Sequence, residues 1–331
     1  MHRTTFPFVK EAMRMRNDGF SSCCRRILAG IFLLIFGFSL PKIQALVFSC
    51  ADAATNLSGQ RNAHIAGWGY VDLSGVVIVR SPYGVTSTGI LLESGRHVLT
   101  AAHSVAGFST SGDDLQGRVE VFSGNKQKII PWKKVSLHPA YRHGGAWDAG
   151  IIELAQEVDA GFAARYPLAR SPRPLPEMIL RAGWGKGGTG MTGEIGSTGK
   201  LLAGLNHHEA RTSGKLTKGF MSGGDHLPLL LSDFDGGPGD DPFSGFAASA
   251  GLDMPANPGV GALECQIANG DSGGPVFARD PCGKTVVVAL QVGRISRGAD
   301  IDHRLNSSWG ELAVDVEACR ISDWVITIIA R

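Results

Sequence analysis

The sequence predicts an all-β fold that ends in a single helix. Short aliphatic and β-branched runs recur along most of the chain, and Gly, Pro, Ser or Asp bounds each run. These runs do not alternate with long helical patterns, so the pattern favours a sandwich or a barrel over β-α units. One stretch, VDVEACRISDWVITII (314–329), places its apolar residues at helix-like intervals and predicts the helix.

Nine runs carry the strand prediction. In chain order they are GVVIV (75–79), GILLE (89–93), HVLTAA (97–102), RVEVF (118–122), KIIPW (128–132), GIIEL (150–154), MILRAGW (178–184), GPVFA (274–278) and VVVALQV (286–292). The proline-rich SPRPLP (171–176) interrupts them and predicts an extended connector. Residues 203–263 contain few strand signals and predict a long loop insertion.

Composition restricts the function classes. The chain has 331 residues, of which 43% are hydrophobic, so it can bury an ordinary core. Its formal charge of +2 gives no reason to expect a nucleic acid partner. The cysteines lack the C-x-x-C spacing of structural zinc sites, and we predict neither a metal nor a cofactor. We expect Cys265 and Cys282 to form a disulfide.

The N-terminus has the pattern of an export signal. Residues 1–26 are basic and residues 27–40 are apolar and uncharged, which is shorter than a membrane-spanning helix. We assign residues 1–53 to a cleaved signal peptide, and cleavage after Ala45 or within residues 51–53 stays open. A permanent anchor and lipid attachment at Cys50 are the alternatives. The mature chain is expected to be secreted or periplasmic and free of the membrane.

An acidic cluster lies within the predicted insertion. It comprises Asp233, Asp235, Asp240 and Asp241. Carboxylate oxygens suit calcium, but the spacing does not match an EF-hand loop. The alternative is a solvated acidic turn, which the sequence favours.

The strongest chemical signal is NGDSGGPVF (269–277). A serine in a glycine turn becomes a nucleophile only if a base takes its proton and a third group orients that base. His103 follows the strand HVLTAA, and Asp148 precedes the strand GIIEL. Taken alone, His103 would be interpreted as a structural or surface residue and Asp148 as the cap of a turn. Together with Ser272 they form a candidate catalytic set.

Five motifs carry a family resemblance. LTAAHS, HPAY, WDAGIIEL, AGWG and GDSGGP occur in the chain order histidine, aspartate, serine. In this order and over residues 65–331, the chain resembles the trypsin-like (chymotrypsin-fold) serine proteases. The resemblance implies two packed antiparallel six-stranded β-barrels with a C-terminal α-helix.

The resemblance also implies roles for the residues around the nucleophile. His103 would be the general base, Asp148 its orienting acid and Ser272 the nucleophile. The backbone N–H groups of Gly270 and Ser272 would form the oxyanion hole.

Activation is a further implication of the resemblance. In the family, the residue at Asp271 pairs with the α-ammonium that a processing cleavage creates. The sequence HIAGW (64–68) places Ile65 where that new terminus would arise. Residues 54–64 would then be a short propeptide.

The resemblance places the residues of the specificity pocket at Gln266, Gln291 and Gly293. None of them supplies a negative charge, so we expect a neutral residue at the cleaved position of the substrate. Glu264 would replace Gln266 if the loop is rearranged. The sequence thus predicts a secreted serine endopeptidase acting on proteins or peptides. The alternatives are a catalytically inactive homologue that acts as a binding module and a hydrolase of esters.

Overall fold

The structure is a computed structural model. It describes residues 46–49, 55–108, 117–143, 146–211, 229–236, 259–296 and 300–331. The predicted apolar segment 27–40, Cys50, Asp240 and Asp241 lie outside the described residues.

Six strands of the N-terminal half close into an antiparallel barrel. They are β4 (Val76–Arg80), β5 (Thr86–Leu91), β6 (His97–Thr100), β7 (Arg118–Ser123), β8 (Lys126–Leu137) and β9 (Gly150–Leu154). Their order around the barrel is β4-β5-β6-β9-β8-β7. On β4, Val77 and Val79 face one apolar cluster while Val76 and Ile78 face another. Burial on both faces explains why this strand reads as an unbroken aliphatic run.

The C-terminal half is built on a seven-stranded sheet. Its strands are β10 (Glu177–Gly183), β13 (Leu202–His208), β14 (Ala210–Arg211), β15 (Leu229–Ser232), β17 (Pro275–Arg279), β18 (Thr285–Ser296) and β19 (Glu311–Glu317). Their order is β13-β10-β17-β18-β19-β15-β14, and in the described residues this sheet forms a half-barrel. Helix α1 (Ala318–Ile329) follows directly. The predicted fold class is confirmed, with a half-barrel in place of the second six-stranded barrel.

Two small sheets complete the described structure. Their strands are β1 (Leu46–Phe48), β2 (Ala63–Ile65), β3 (Gly69–Val71), β11 (Gly187–Thr189), β12 (Gly193–Ile195) and β16 (Cys265–Gln266). The four-stranded sheet has the order β12-β11-β1-β16, and a hairpin pairs β2 with β3. The three residues of β1 are almost completely buried. A segment that the sequence assigns to the signal peptide therefore forms part of the folded C-terminal half.

Trp184 joins the two halves. Its indole N–H donates to the carbonyl oxygen of Val76 on the barrel at 3.0 Å. Its backbone N–H donates to Thr88 Oγ1, also on the barrel, at 3.0 Å. Because both donors are buried, each needs such a partner. The predicted AGWG motif thus fixes how the half-barrel sits on the barrel.

The predicted loop insertion at 203–263 is wrong for the part that the structure describes. Strand β13 is largely buried and pairs with β10 over its whole length, and β15 pairs with β19. The strand signal was hidden because polar Asn206 and His208 lie among the apolar residues of β13. Both side chains are satisfied by distant partners that the local sequence does not reveal. Residues 212–228 and 237–258 lie outside the described residues.

Two further expectations need correction. The predicted helix over 314–329 begins only at Ala318, because residues 311–317 extend the sheet as β19. The expected Cys265–Cys282 disulfide is absent, and both thiols are free. Cys265 is buried in β16, whereas Cys282 is exposed in the turn between β17 and β18.

Candidate active site

His103 follows the barrel strand β6 directly. The strand ends at Thr100, and a short 3-10 helix spans Ala102–Ser104. Thr100 Oγ1 donates to the carbonyl oxygen of Thr88 at 2.7 Å, which fixes the end of β6 against β5. The histidine ring lies about one-third exposed. This local structure presents an imidazole to solvent from a rigid support.

Asp148 holds His103 through two hydrogen bonds. The backbone N–H of His103 donates to Asp148 Oδ1 at 2.8 Å, and His103 Nδ1 lies 2.6 Å from Asp148 Oδ2. A carboxylate at Nδ1 keeps the proton on that nitrogen and leaves Nε2 free to accept one. Asp148 itself is buried, so these bonds replace its hydration. The structure thus brings together the predicted base and its predicted orienting acid.

A close approach fixes the aspartate segment against the histidine helix. A Cβ atom added to Gly150 would lie 2.9 Å from Val105 Cγ2 and 3.4 Å from Ala102 Cα. His138 supports the same segment, because its N–H donates to the carbonyl oxygen of Ala149 at 2.9 Å. Its ring stacks on that of Trp147 at a centroid distance of 4.8 Å.

The turn that contains Ser272 packs on the strand ends that carry His103. The N–H of Thr88 donates to the carbonyl oxygen of Ser272 at 2.9 Å. A Cβ atom on Gly273 would lie 2.2 Å from Thr100 Oγ1 and 2.8 Å from the backbone nitrogen of Ala101. The serine turn therefore packs against Ala101, which precedes His103 by two positions in the sequence. Ser272 Oγ and His103 Nε2 form no hydrogen bond in this structure, and such contacts often tighten only with substrate bound.

The backbone around Gly270 has the geometry that the predicted oxyanion hole needs. Gly270 has φ +102°, which side-chain-bearing residues rarely adopt, and an added Cβ would lie 2.8 Å from Gly185 Cα. The carbonyl oxygen of Gly270 is turned away to accept from Thr88 Oγ1 at 2.9 Å. Within the described part of the chain, the N–H groups of Gly270 and Ser272 donate to no protein acceptor.

Comparison with known protein families gives a match. A family model described as Trypsin matches residues 57–220, a span that contains His103 and Asp148 but ends before Ser272. The chain belongs to the trypsin family of serine proteases. None of the curated proteins matches it. Membership of the trypsin family implies serine-type peptidase activity and makes proteins or peptides the substrate class.

Asp271 is the most deeply buried charged group beside the serine of this trypsin-family chain. Its Oδ1 accepts from the N–H of Gly185 and its Oδ2 from the N–H of Ala268, each at 2.8 Å. Burial raises the pKa of Asp271 to about 7, although these two hydrogen bonds act in the opposite direction. Among the described residues, no basic side chain forms an ion pair with it.

The structure does not bring the predicted activation pair together. Ile65 lies in the β2–β3 hairpin, opposite Gly69. That hairpin packs near the far end of β17, where the Arg279 guanidinium lies over the Trp68 ring at 5.2 Å and donates to the carbonyl oxygen of Tyr70. Asp271, in contrast, contacts Ala268, which follows β16, and Gly185 in the segment between β10 and β11.

The predicted pocket residues have other contacts. Gln266 is fully buried; its side-chain N–H donates to the carbonyl oxygen of Glu311, and its Oε1 accepts from Ile267 N–H. Gln291 is fully buried too and donates to the carbonyl oxygen of Ala182 at 2.8 Å. Neither side chain can touch a substrate in this structure, so both support the frame instead. Gly293 is half-buried, and no atom lies within 4 Å of the position that a Cβ atom would take there.

Arg294 is a charged residue beside Gly293 that the sequence analysis missed. Its guanidinium lies 3.5 Å from Glu194 and 3.4 Å from Glu311, and it reaches Asn269 Oδ1 at 3.5 Å. Asn269 immediately precedes Gly270, so this cation lies next to the nucleophile turn. Burial raises the pKa of Glu311 to about 7. In the sequence, Arg294 is a lone arginine after the predicted strand 286–292, and such a residue is too common to be singled out as functional.

Part of the acidic cluster comes together elsewhere in the half-barrel. Asp233, Asp235 and Glu264 are buried and offer carboxylate oxygens within 4.8 Å of one another. Oxygen ligands of this kind suit a hard cation such as calcium.

In the part of the chain that the structure describes, no helix is both long and apolar enough to cross a membrane.

Proposed function

We propose that this chain is an exported serine endopeptidase that cleaves peptide bonds through His103, Asp148 and Ser272. The observation that carries the proposal is the double hydrogen bond between Asp148 and His103. It holds the imidazole in the tautomer that can accept a proton at Nε2. The contact of the serine turn with Thr88 supports Ser272 as the group that gives up that proton.

The first half of the reaction acylates the serine. Ser272 Oγ attacks the carbonyl carbon of the scissile bond while His103 Nε2 takes its proton. The negative charge that develops on the carbonyl oxygen is stabilised by the N–H groups of Gly270 and Ser272. The protonated His103 then gives its proton to the departing amine, and the acyl group remains on Ser272. Asp148 stabilises the imidazolium throughout.

The second half releases the acid product. A water molecule loses a proton to His103 Nε2 and attacks the acyl carbon. The bond to Ser272 Oγ breaks, and the proton returns from His103 to the serine. We propose a neutral residue at the cleaved position, because Gln266, Gln291 and Gly293 supply no negative charge.

The test is covalent labelling with a fluorophosphonate probe, which reacts only with an activated serine. We expect the processed, folded protein to be labelled and Ser272→Ala and His103→Ala to lose labelling. Ser104→Ala and His143→Ala are the matched controls, since neither side chain contacts the predicted nucleophile. Folded protein without Ser272-dependent labelling would support the alternative, an inactive homologue that acts as a binding module.

A digest separates peptidase from esterase activity. A mixed peptide library is incubated with protein that reacts with the fluorophosphonate probe. We expect cleavage after neutral residues. Ester hydrolysis without any peptide cleavage would contradict the endopeptidase proposal while leaving the catalytic residues in place.

A further inference from the structure

Asn269 immediately precedes Gly270 and shares with it the peptide unit whose N–H belongs to the proposed oxyanion hole. A peptide unit is planar and trans, so its N–H points away from its carbonyl oxygen. The Asn269 carbonyl oxygen accepts from the backbone N–H of Lys186 at 2.8 Å. This bond fixes the orientation of the peptide plane and directs the Gly270 N–H to the opposite side.

The carboxylate of Glu194 holds Asn269 from a second direction. Glu194 Oε2 accepts from the backbone N–H of Asn269 at 2.7 Å, and Oε1 accepts from its side-chain amide at 2.5 Å. Hydrogen bonds to a charged acceptor are stronger than those between neutral groups. Because the N–H and the carbonyl oxygen of Asn269 lie on either side of its Cα, Glu194 and Lys186 together restrict both backbone dihedral angles of Asn269.

Glu194 is itself fixed on β12. Its backbone N–H donates to the carbonyl oxygen of Asn306 at 2.6 Å, and its side chain is only about one-tenth exposed. The Lys186 ammonium lies 3.8 Å and the Arg294 guanidinium 3.5 Å from its carboxylate oxygens. These two cations compensate the charge of a carboxylate that is largely removed from water. Glu194 therefore offers a rigid acceptor to the nucleophile turn.

The Arg294 guanidinium behind Glu194 is anchored in turn. Arg294 Nε lies 3.4 Å from Glu311 Oε2. Glu311 is fully buried at the start of β19, and its Oε1 accepts from the backbone N–H groups of Asn306 and Ser307. A chain of contacts thus connects the half-barrel sheet, through Glu311, Arg294 and Glu194, with the nucleophile turn.

We propose that Glu194 is a positioning residue for the peptidase reaction, which aims the Gly270 N–H at the oxyanion by holding Asn269. We call its two hydrogen bonds with Asn269 the Glu194 clamp. An oxyanion donor acts best when its direction is set before the charge develops, since no reorganisation is then needed at the moment of reaction. Losing the clamp should therefore weaken the transition state more than the bound substrate.

The catalytic part of this inference rests on the proposed function, whereas the clamp does not. The contrasting role for Glu194 is a purely structural one, in which it stabilises the fold through its ion pairs alone. A structural role predicts a loss of unfolding free energy with kcat unchanged in the protein that remains folded. The positioning role predicts a fall in kcat at nearly constant KM.

The experiment compares Glu194→Ala and Glu194→Gln with the unchanged processed protein. Glu194→Ala removes both acceptors, whereas the amide oxygen of Glu194→Gln still accepts from the Asn269 N–H. Glu177→Ala is the matched control, because Glu177 is similarly buried and forms an ion pair with Arg173 at 2.6 Å. Glu177 begins β10, and Gly183 beside Asp271 ends it, about 20 Å away along the strand.

The first readout is kcat and KM on a peptide substrate. We expect kcat to fall by about 10- to 100-fold in Glu194→Ala, less than the loss of an entire oxyanion donor, with KM changed by less than about threefold. Glu194→Gln should recover most of kcat, since it keeps the backbone bond. Glu177→Ala should match the unchanged protein. Urea unfolding of each variant measures how much of it is folded, and Glu194→Gln decides the test if Glu194→Ala does not fold.

The second readout does not require activity. We expect the Asn269 amide hydrogen to exchange with solvent at least about tenfold faster in Glu194→Ala than in the unchanged protein, measured by NMR. Its exchange in Glu177→Ala should be unaltered.

The outcomes separate this inference from the proposed function. An unchanged kcat in folded Glu194→Ala, or an equal fall in Glu177→Ala, would overturn the positioning role. If no form reacts with the fluorophosphonate probe, the peptidase proposal and with it the catalytic role of Glu194 are wrong. Amide exchange then decides on the clamp: faster exchange of Asn269 in Glu194→Ala supports it, and unaltered exchange contradicts it.

Discussion

At the scale of single residues, glycine determines the backbone on which the proposed chemistry depends. Gly270 combines a left-handed φ with a contact to Gly185 that leaves no space for a side chain. Asp271 and Ser272 then follow in a turn closed by a hydrogen bond from Gly274 N–H to the carbonyl oxygen of Asp271 at 2.8 Å. The residue types of this motif are thus explained by backbone geometry.

Gly270→Ala should reduce activity more than stability. The added Cβ must displace the backbone of Gly185 or rotate the Gly270 N–H away from the oxyanion position. Losing one oxyanion donor costs about 3 kcal/mol, or 10² to 10³ in kcat. Gly283→Ala is the control, because it has a similar positive φ but open space around the new atom. Equal kcat for the two variants, measured on a peptide substrate, would contradict the proposed role of Gly270.

At the scale of elements, a buried ion pair holds the half-barrel sheet. Arg181 on β10 donates two hydrogen bonds to Asp315 on β19, at 2.8 and 2.7 Å, and all four atoms are inaccessible to solvent. Burial raises the pKa of Asp315, but the Arg181 charge and the His208 hydrogen bond outweigh it and lower that pKa overall. The pair therefore stays charged across the physiological range.

Arg181→Met should destabilise the fold strongly. It removes the charge that compensates Asp315 and leaves a buried carboxylate, which costs about 3 to 5 kcal/mol. The double variant with Asp315→Leu removes both charges and should recover much of the loss. Urea unfolding of the three proteins measures this. A double variant no more stable than Arg181→Met would show that the packing of the arginine matters more than its charge.

Helix α1 supports the aspartate segment from a distance. The Trp324 ring contacts the edge of His138 at a centroid distance of 5.0 Å, and His138 in turn stacks on Trp147, the neighbour of Asp148. Burial lowers the pKa of His138, which keeps this ring neutral between the two indoles.

Trp324→Ala should therefore lower both stability and kcat. Loss of the half-buried indole should cost about 2 kcal/mol in unfolding free energy. The loosened His138 should misplace Asp148 and reduce kcat, with little change in KM. Trp324→Phe keeps an aromatic edge and is expected to retain most of both. A loss of stability with unchanged kcat would limit the helix to a structural role.

At the scale of the whole molecule, two buried carboxyl groups influence the pH dependence of stability. Burial in the folded state raises the pKa of Asp271 to about 7 from its ordinary value of 3.8. Between these two values the folded state binds more protons than the unfolded state, so stability falls as the pH rises. Burial also raises the pKa of Glu311 to about 7, so this residue changes the stability in the same direction. The charged groups that influence Asp271 are Glu194 and Arg294, and the Cys265 thiol lies nearby.

The protein should lose up to about 4 kcal/mol of unfolding free energy between pH 4 and pH 7 through Asp271, because over this range the folded state keeps a proton that the unfolded state releases. Asp271→Asn should lose much less, since an amide does not titrate. Urea unfolding of both proteins at pH 5 and pH 8 measures the difference. Identical pH profiles of the two proteins would contradict the raised pKa of Asp271.

Short motifs were sufficient to predict the candidate catalytic residues. His103, Asp148 and Ser272 each lie beside a strand end, and the residue types on either side are set by local backbone needs. Barrel strands β4 and β9 were also predictable, since each buries a nearly continuous aliphatic run. Strand β13 was not, because the partners of Asn206 and His208 lie far away in sequence.

The sequence by itself determined the fold class, the family and the candidates for base, acid and nucleophile, because those features depend on local pattern. Only the tertiary structure decided what surrounds Asp271. Three apolar residues at Leu46–Phe48 look like the end of an export signal, and their role appears only when β11 and β16 enclose them. Pairing between strands more than a hundred residues apart leaves no local signature, which is why the start of β1 had to be found in the fold.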